Sequence, residues 1–121
     1  MAYSTIDDPS LHFNTILYSG NETGRTLTGV GFQPDFTWIK QRNRSDPHIL
    51  VDSVRGGTKE LSVERTSAEH TEAQGLQSFN SDGFVLGTHV DVNRNSTNMV
   101  AWNWKAGGSA SNNTDGNKTI S

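Results

Sequence analysis

The stretch VAWNWKAGG, residues 100–108, decides how this chain is read. It places two of the three tryptophans two positions apart in an otherwise polar sequence. Side chains of a strand alternate between faces. Val100, Trp102 and Trp104 therefore share one face, and Ala101, Asn103 and Lys105 share the other. The first set is wholly apolar and the second is small or polar. Such indoles either stack against a ligand or floor a core. Clean alternation is what a half-buried strand needs, and each aromatic can bury roughly 150–250 Å², so a core position is expected. Phe36 and Trp38, two apart in FTWIK (residues 36–40), receive the same reading.

Outward from this stretch, short extended segments alternate with turn formers. LHFNTILY (11–18) reads as a strand, SGNETG (19–24) as a loop, and the Thr-rich segment 25–32 as its hairpin partner. Further strands are expected at 36–40, 48–54, 59–63 and 99–105. Ser81-Asp82-Gly83 turns the chain between Phe79 and Phe84. In 59–63, Leu61 and Val63 are expected inward. RTSAEHTEAQGLQ (65–77) has too few apolar positions for a helical face and reads as a loop with at most one helical turn. Residues 91–98 read as a polar turn. About seven short strands with turn signals every ten residues or so predict an all-β, antiparallel β-sandwich with short strands and long polar loops. Residues 1–108 form the expected module, and the polar 109–121 a linker or the start of a following segment.

Composition bounds the function. The apolar fraction is 31%, and the 12 glycines in 121 residues raise it to about 41%, below the usual 45–50% or so. The core is therefore thin. Self-association in a symmetric homo-oligomer, such as a trimer, would supply missing burial, and side chains such as Ile39 or Ile49 would then be covered by a neighbouring subunit. A net charge of −3 with scattered basic residues argues against nucleic-acid binding by counterion release. Cysteine is absent, which excludes disulfides and thiolate metal sites. The N-terminal residues lack a Sec-type signal pattern, and no apolar run reaches the roughly 20 residues of a membrane span. A soluble chain made in a cytoplasm is expected.

Few residue groups point to chemistry. In Glu60-Leu61-Ser62-Val63-Glu64, a strand would place Glu60, Ser62 and Glu64 on one face. Certain retaining glucanases on lectin-type sandwiches carry Glu-x-Asp-x-Glu at this spacing, since retaining hydrolysis needs two carboxylates about 5–5.5 Å apart. Ser62 replaces the middle Asp, and a solvated strand face explains the glutamates more simply. Asp91, Asn93 and Asn95 alternate as in a calcium loop, but the EF-hand Gly and Glu positions hold Ser96 and Trp102, so no metal is expected. The four histidines, His12, His48, His70 and His89, match no ligand spacing. Arg55-Gly56-Gly57 could form an anion nest, although a strand-ending turn suffices. A glycan contact would need an exposed aromatic beside Asn or Asp, and Tyr18 with Asp91, Asn93 and Asn95 are the candidates.

Together DDPSLHFNTILYSGN, GVGFQPDFTWIKQR, ILVDSVRGGTKELS, LQSFNSDGFVLG and VAWNWKAGG resemble a module of marine phage structural proteins of tail or fibre type. The resemblance covers about residues 6–108. It implies a concanavalin A-like (lectin/glucanase, jelly-roll type) sandwich in a virion component assembled in the bacterial host cytoplasm. It also implies contact with other virion proteins and with host surface glycan. It brings no catalytic residues and no cofactor. Three functions follow: a non-enzymatic virion structural module, a carbohydrate-binding adhesion module, and, least supported, a glycan hydrolase using Glu60 and Glu64.

Overall fold

A computed structural model describes residues 9–106; the expected 109–121 segment lies outside the described residues. After a 3-10 turn at Pro9–Leu11 come β1 (Phe13–Ser19), β2 (Arg25–Leu27), β3 (Phe36–Gln41), β4 (Ile49–Asp52) and β5 (Lys59–Ser62). Then follow β6 (His70–Thr71), β7 (Leu76–Asn80), β8 (Gly83–Leu86), the short helix α1 (Val90–Asn93) and β9 (Asn98–Trp104). Six strands form one sheet in the order β1-β9-β3-β4-β5-β6, and three form a second in the order β2-β8-β7. Every pairing is antiparallel. The chain is a β-sandwich.

The β7–β8 hairpin forms where its turn residues predict. Asn80 Oδ1 accepts from the Asp82 amide at 3.0 Å, a short-range bond that favours the turn. The Asp82 carboxylate then accepts from the amides of Gly29 and Gly31 at 3.0 and 2.7 Å. Those two amide bonds hold its carboxyl below the usual range. Both glycines have φ near +90°, a conformation that a side chain would strain.

The expected hairpin between 11–18 and 25–32 is absent. All seven residues of β1 pair with β9, 79 or more positions away, whereas β2 pairs with β8 in the other sheet. The loop after β1 crosses between layers, fixed by Gly20 N donating to Thr97 O at 2.9 Å and Asn21 N to Asn93 Oδ1 at 3.0 Å. Turn-forming residues mark where the chain bends; they do not say whether it returns within the same sheet.

The central cluster joins Ile39, Ile49, Val51, Met99 and Ala101 of the large sheet to Leu27, Leu76, Phe84 and Leu86 of the small one. Tyr18, Val30, Phe32 and Val92 complete it. Ile39 and Ile49 are fully buried within this single chain, so neither needs a neighbouring subunit.

The aromatic strands face the other way from the expectation. Phe36, Trp38, Trp102 and Trp104 are half-buried on the outer face of the large sheet. Val100 is 5% exposed, but it shares that outer face and lies outside the central cluster. The inward residues are Thr37, Ile39 and Gln41 of β3 with Met99, Ala101 and Asn103 of β9. Thr37 and Asn103 are tolerated there because they satisfy one another, whereas Gln41 donates from Nε2 to Val90 O at 2.9 Å and leaves its Oε1 unpartnered. Thr37 Oγ1 donates to Asn103 Oδ1 at 2.8 Å, and Asn103 Nδ2 reaches the carbonyls of Asn14 and Ala101 at 3.2 Å. A buried polar group with its hydrogen bonds made costs little, and the bulky indoles remain outside the narrow inter-sheet space. The 59–63 segment is reversed in the same way: Glu60 of β5 is fully buried, Leu61 lies opposite Leu50 on the outer face, and Val63, just past β5, is 41% exposed.

Candidate binding face

The outer face of the large sheet is built in rows by strand register. Phe13, Trp104, Phe36 and Asp52 form one row, and Thr15, Trp102, Trp38, Leu50 and Leu61 the next. Leu17, Val100 and Lys40 form a third. Trp38 and Trp102 meet edge to face with centroids 5.5 Å apart and rings at 65°. Trp104 meets Phe36 at 4.9 Å and 67°, and Phe13 at 5.0 Å and 52°. Edge-to-face packing suits the ring quadrupoles and holds the indoles at fixed, mutually inclined angles. Trp38, Trp102 and Trp104 thereby line an open depression of about 260 Å³.

Polar groups sit at its margin. Trp38 Nε1 donates to His48 Nδ1 at 3.4 Å, which orients both rings. Lys40 Nζ donates to the carbonyls of Gln41 and Arg44, so its ammonium is held beside β3. The indole N–H groups of Trp102 and Trp104 make no hydrogen bond among the described residues. Phe13 and Leu17 continue the apolar surface towards the β1 edge, 37% and 61% exposed. Sequence reasoning missed this site because alternation shows that two faces differ and not which one is covered. The usable signal was the pair Thr37 and Asn103, side by side once β3 is paired with β9.

Of the residues expected to contact glycan, Tyr18 and Asn93 are buried in the fold, whereas Asp91 is half-exposed and Asn95 exposed. Tyr18 is buried, and its hydroxyl donates to Val92 O at 2.6 Å; burial pushes its phenol well above the usual range. Asn93 is fully buried, accepting from Asn21 N and donating to Thr23 O and Gly87 O at 2.8 and 2.9 Å. Asp91 lies in the first turn of α1, and Asn95 N donates to Glu22 Oε2 at 3.0 Å. The four gather around α1, where the buried Tyr18 and Asn93 tie its loops together.

The two glutamates do not form a catalytic pair on one solvated face. Glu60 points inward beneath Gly75, and burial, followed by the charges of Glu72 and Asp91, pushes its carboxyl up to about 7. Glu64 lies beyond β5 and accepts from His48 N at 3.1 Å. The Arg55-Gly56-Gly57 turn spends its first amides on Asp52, with Arg55 N on Oδ1 and Gly56 N on the carbonyl. No group of three or more His, Asp or Glu side chains among the described residues is arranged to hold a metal ion.

A sandwich with an open aromatic face, on which Glu60 and Glu64 do not meet, defines a class of fold, not an activity. The chain matches, over residues 8–121, the family model described as a domain of unknown function (DUF7483). It belongs to that family. Comparison with curated proteins and with solved structures finds no match.

Proposed function

We propose that this protein is a non-enzymatic surface module of a phage virion, of tail or fibre type, that adheres to host-surface glycan through Trp38, Trp102 and Trp104. The single observation that carries the reading is the outward three-tryptophan depression. The apolar faces of pyranose rings stack on such indoles, and the unengaged N–H groups of Trp102 and Trp104 can donate to sugar hydroxyls. The virion setting and a concanavalin A-like, jelly-roll arrangement of the two sheets rest on the sequence resemblance. No cofactor enters this reading, and hydrolysis loses its basis with Glu60 buried and Glu64 engaged elsewhere.

The test is retention of purified protein by isolated host surface polysaccharide, with polymer length measured afterwards. Saturable retention, an unshortened polymer and at least tenfold weaker binding by Trp102→Ala are expected. Retention that survives both Trp102→Ala and Trp104→Ala sinks the site; a shortened polymer sinks the non-enzymatic reading.

A second reading has its own observation. Leu11, Phe13 and Leu17 are 53%, 37% and 61% exposed along the β1 side, an apolar margin that suits contact with another copy of this chain or another virion protein.

A further inference from the structure

Glu60 is the one fully buried ionisable side chain among the described residues, and neither of its carboxyl oxygens has a hydrogen-bond partner. A bare carboxylate in such a place is strongly disfavoured. We propose that β6 and the turn at residues 72–75 form a clasp over Glu60 whose opening is coupled to loss of the Glu60 proton. The inference is independent of the glycan reading, since the clasp closes the opposite edge of the sheet from β1.

The surroundings of Glu60 are acidic from several sides. β6 contributes His70, whose Nε2 lies 3.3 Å from Glu60 Oε2 without hydrogen-bond geometry. The segment after β6 contributes Glu72, and α1 contributes Asp91; both charges oppose ionisation of Glu60. His89, which caps α1, stands between these two acids. Its Nε2 is 3.3 Å from Glu72 Oε2, and its Nδ1 accepts from Asp91 N and lies 3.9 Å from Asp91 Oδ2. Lys59 reaches Thr71 Oγ1 at 2.7 Å. Gly75 forms the roof, where any Cβ would come within 2.0 Å of Glu60 Oε1. The proton therefore keeps neutral a group that Glu72 and Asp91 would otherwise repel, and burial with those two charges places the change near pH 7.

The β6 side of the clasp is its weak point. β6 has two residues, both exposed, and joins β5 only through Lys59↔Thr71 and Glu60↔His70. The turn is tied to its neighbours by backbone bonds from Glu72 N to Thr58 O at 2.8 Å, His89 N to Gln74 O at 2.9 Å and Gly87 N to Gly75 O at 2.9 Å. Side-chain bonds from Gln77 to Ala73 O and from Thr88 to Gln74 Oε1 add to these, with Gly75 N to Glu72 O at 3.1 Å closing the turn internally. Thr58 itself has φ +68°, a strained conformation for a β-branched residue. On opening, the Glu60 carboxyl reaches water and releases its proton to solvent. The edge of β5 is then unpaired and able to accept another strand.

The test is amide hydrogen exchange of the whole chain from pH 5 to 8, expressed as protection after correction for intrinsic rates. Glu72, Gly75 and His89 amides should be less protected than those of β9. Their protection should fall by up to about tenfold per pH unit towards pH 7 and then level off. Glu60→Gln should flatten that profile, and Glu72→Gln should make it level off at lower pH. Equal protection of clasp and β9 amides overturns the proposal, because the clasp would then open only with global unfolding. So does a profile that Glu60→Gln and Glu72→Gln both leave unchanged.

Discussion

Asn93 and Glu60 are both buried polar side chains, and they differ in what surrounds them. Asn93 engages three backbone partners, so truncation to Ala leaves the Thr23 and Gly87 carbonyls and the Asn21 amide unmatched. Glu60 has no partner for either oxygen, and its carboxyl is pushed up to about 7 by burial and by Glu72 and Asp91. The unfolded chain releases that proton near the ordinary value of 4.5, while the folded chain holds it to about pH 7. The contribution is therefore fully present below about 4.5 and is lost as pH rises to 7. A shift of this size corresponds to at most roughly 3 kcal/mol. Urea unfolding from pH 4 to 8 should show the loss, and Glu60→Gln should be free of that component. Equal slopes for the two proteins would mean that Glu60 titrates as an ordinary exposed acid. None of this was legible in the sequence, where Glu60 and Glu64 looked alike; pairing of β5 with β4 and β6 turns Glu60 inward, whereas Glu64 lies past the end of the strand.

At the scale of elements, most strand positions were legible, though β6 and the start of β7 fall in the 65–77 stretch read as a loop and β2 covers only 25–27; strand faces were not. The segments at 36–40, 48–54 and 99–105 fall on β3, β4 and β9, and the Asp82 turn was readable because its residues bond locally. The four-residue α1 was read as a turn, since so short a helix has no period. It is set by His89, whose side chain accepts from Asp91 N. In β9 both faces carry apolar residues, so choosing the more aromatic one as core was a choice by volume. The inter-sheet space instead takes Met99 and Ala101. The two faces should answer differently to truncation. Met99→Ala, at a fully buried position, should cost about 2–5 kcal/mol. Trp102→Ala removes a half-exposed ring and its edge contact with Trp38, and should cost about 1–2 kcal/mol. Urea midpoints at fixed pH give the ranking, and the reverse order would mean that the tryptophan face is the more tightly packed one.

For the whole molecule, the sandwich class followed from many short strands with frequent turns, while the assignment of strands to sheets depended on pairings such as β1 with β9 that no local signal encodes. The resulting asymmetry matters: a three-stranded sheet covers one face of a six-stranded one, and the opposite face displays its aromatic rows. That face can serve two partners only if they use different strands. The tryptophans belong to β3 and β9, whereas Leu17 lies on β1, the outermost strand, at 61% exposure. If copies associate along β1 and glycan occupies the tryptophans, Leu17→Lys should reduce the mass in solution to that of a monomer, measured by light scattering. It should leave the melting temperature within a few degrees and glycan retention per chain unchanged, because a surface charge on an exposed edge position costs little in the folded monomer and opposes edge contact. Loss of both assembly and retention in Leu17→Lys would instead make the whole aromatic face one shared interface between copies, with no room left for a sugar on it.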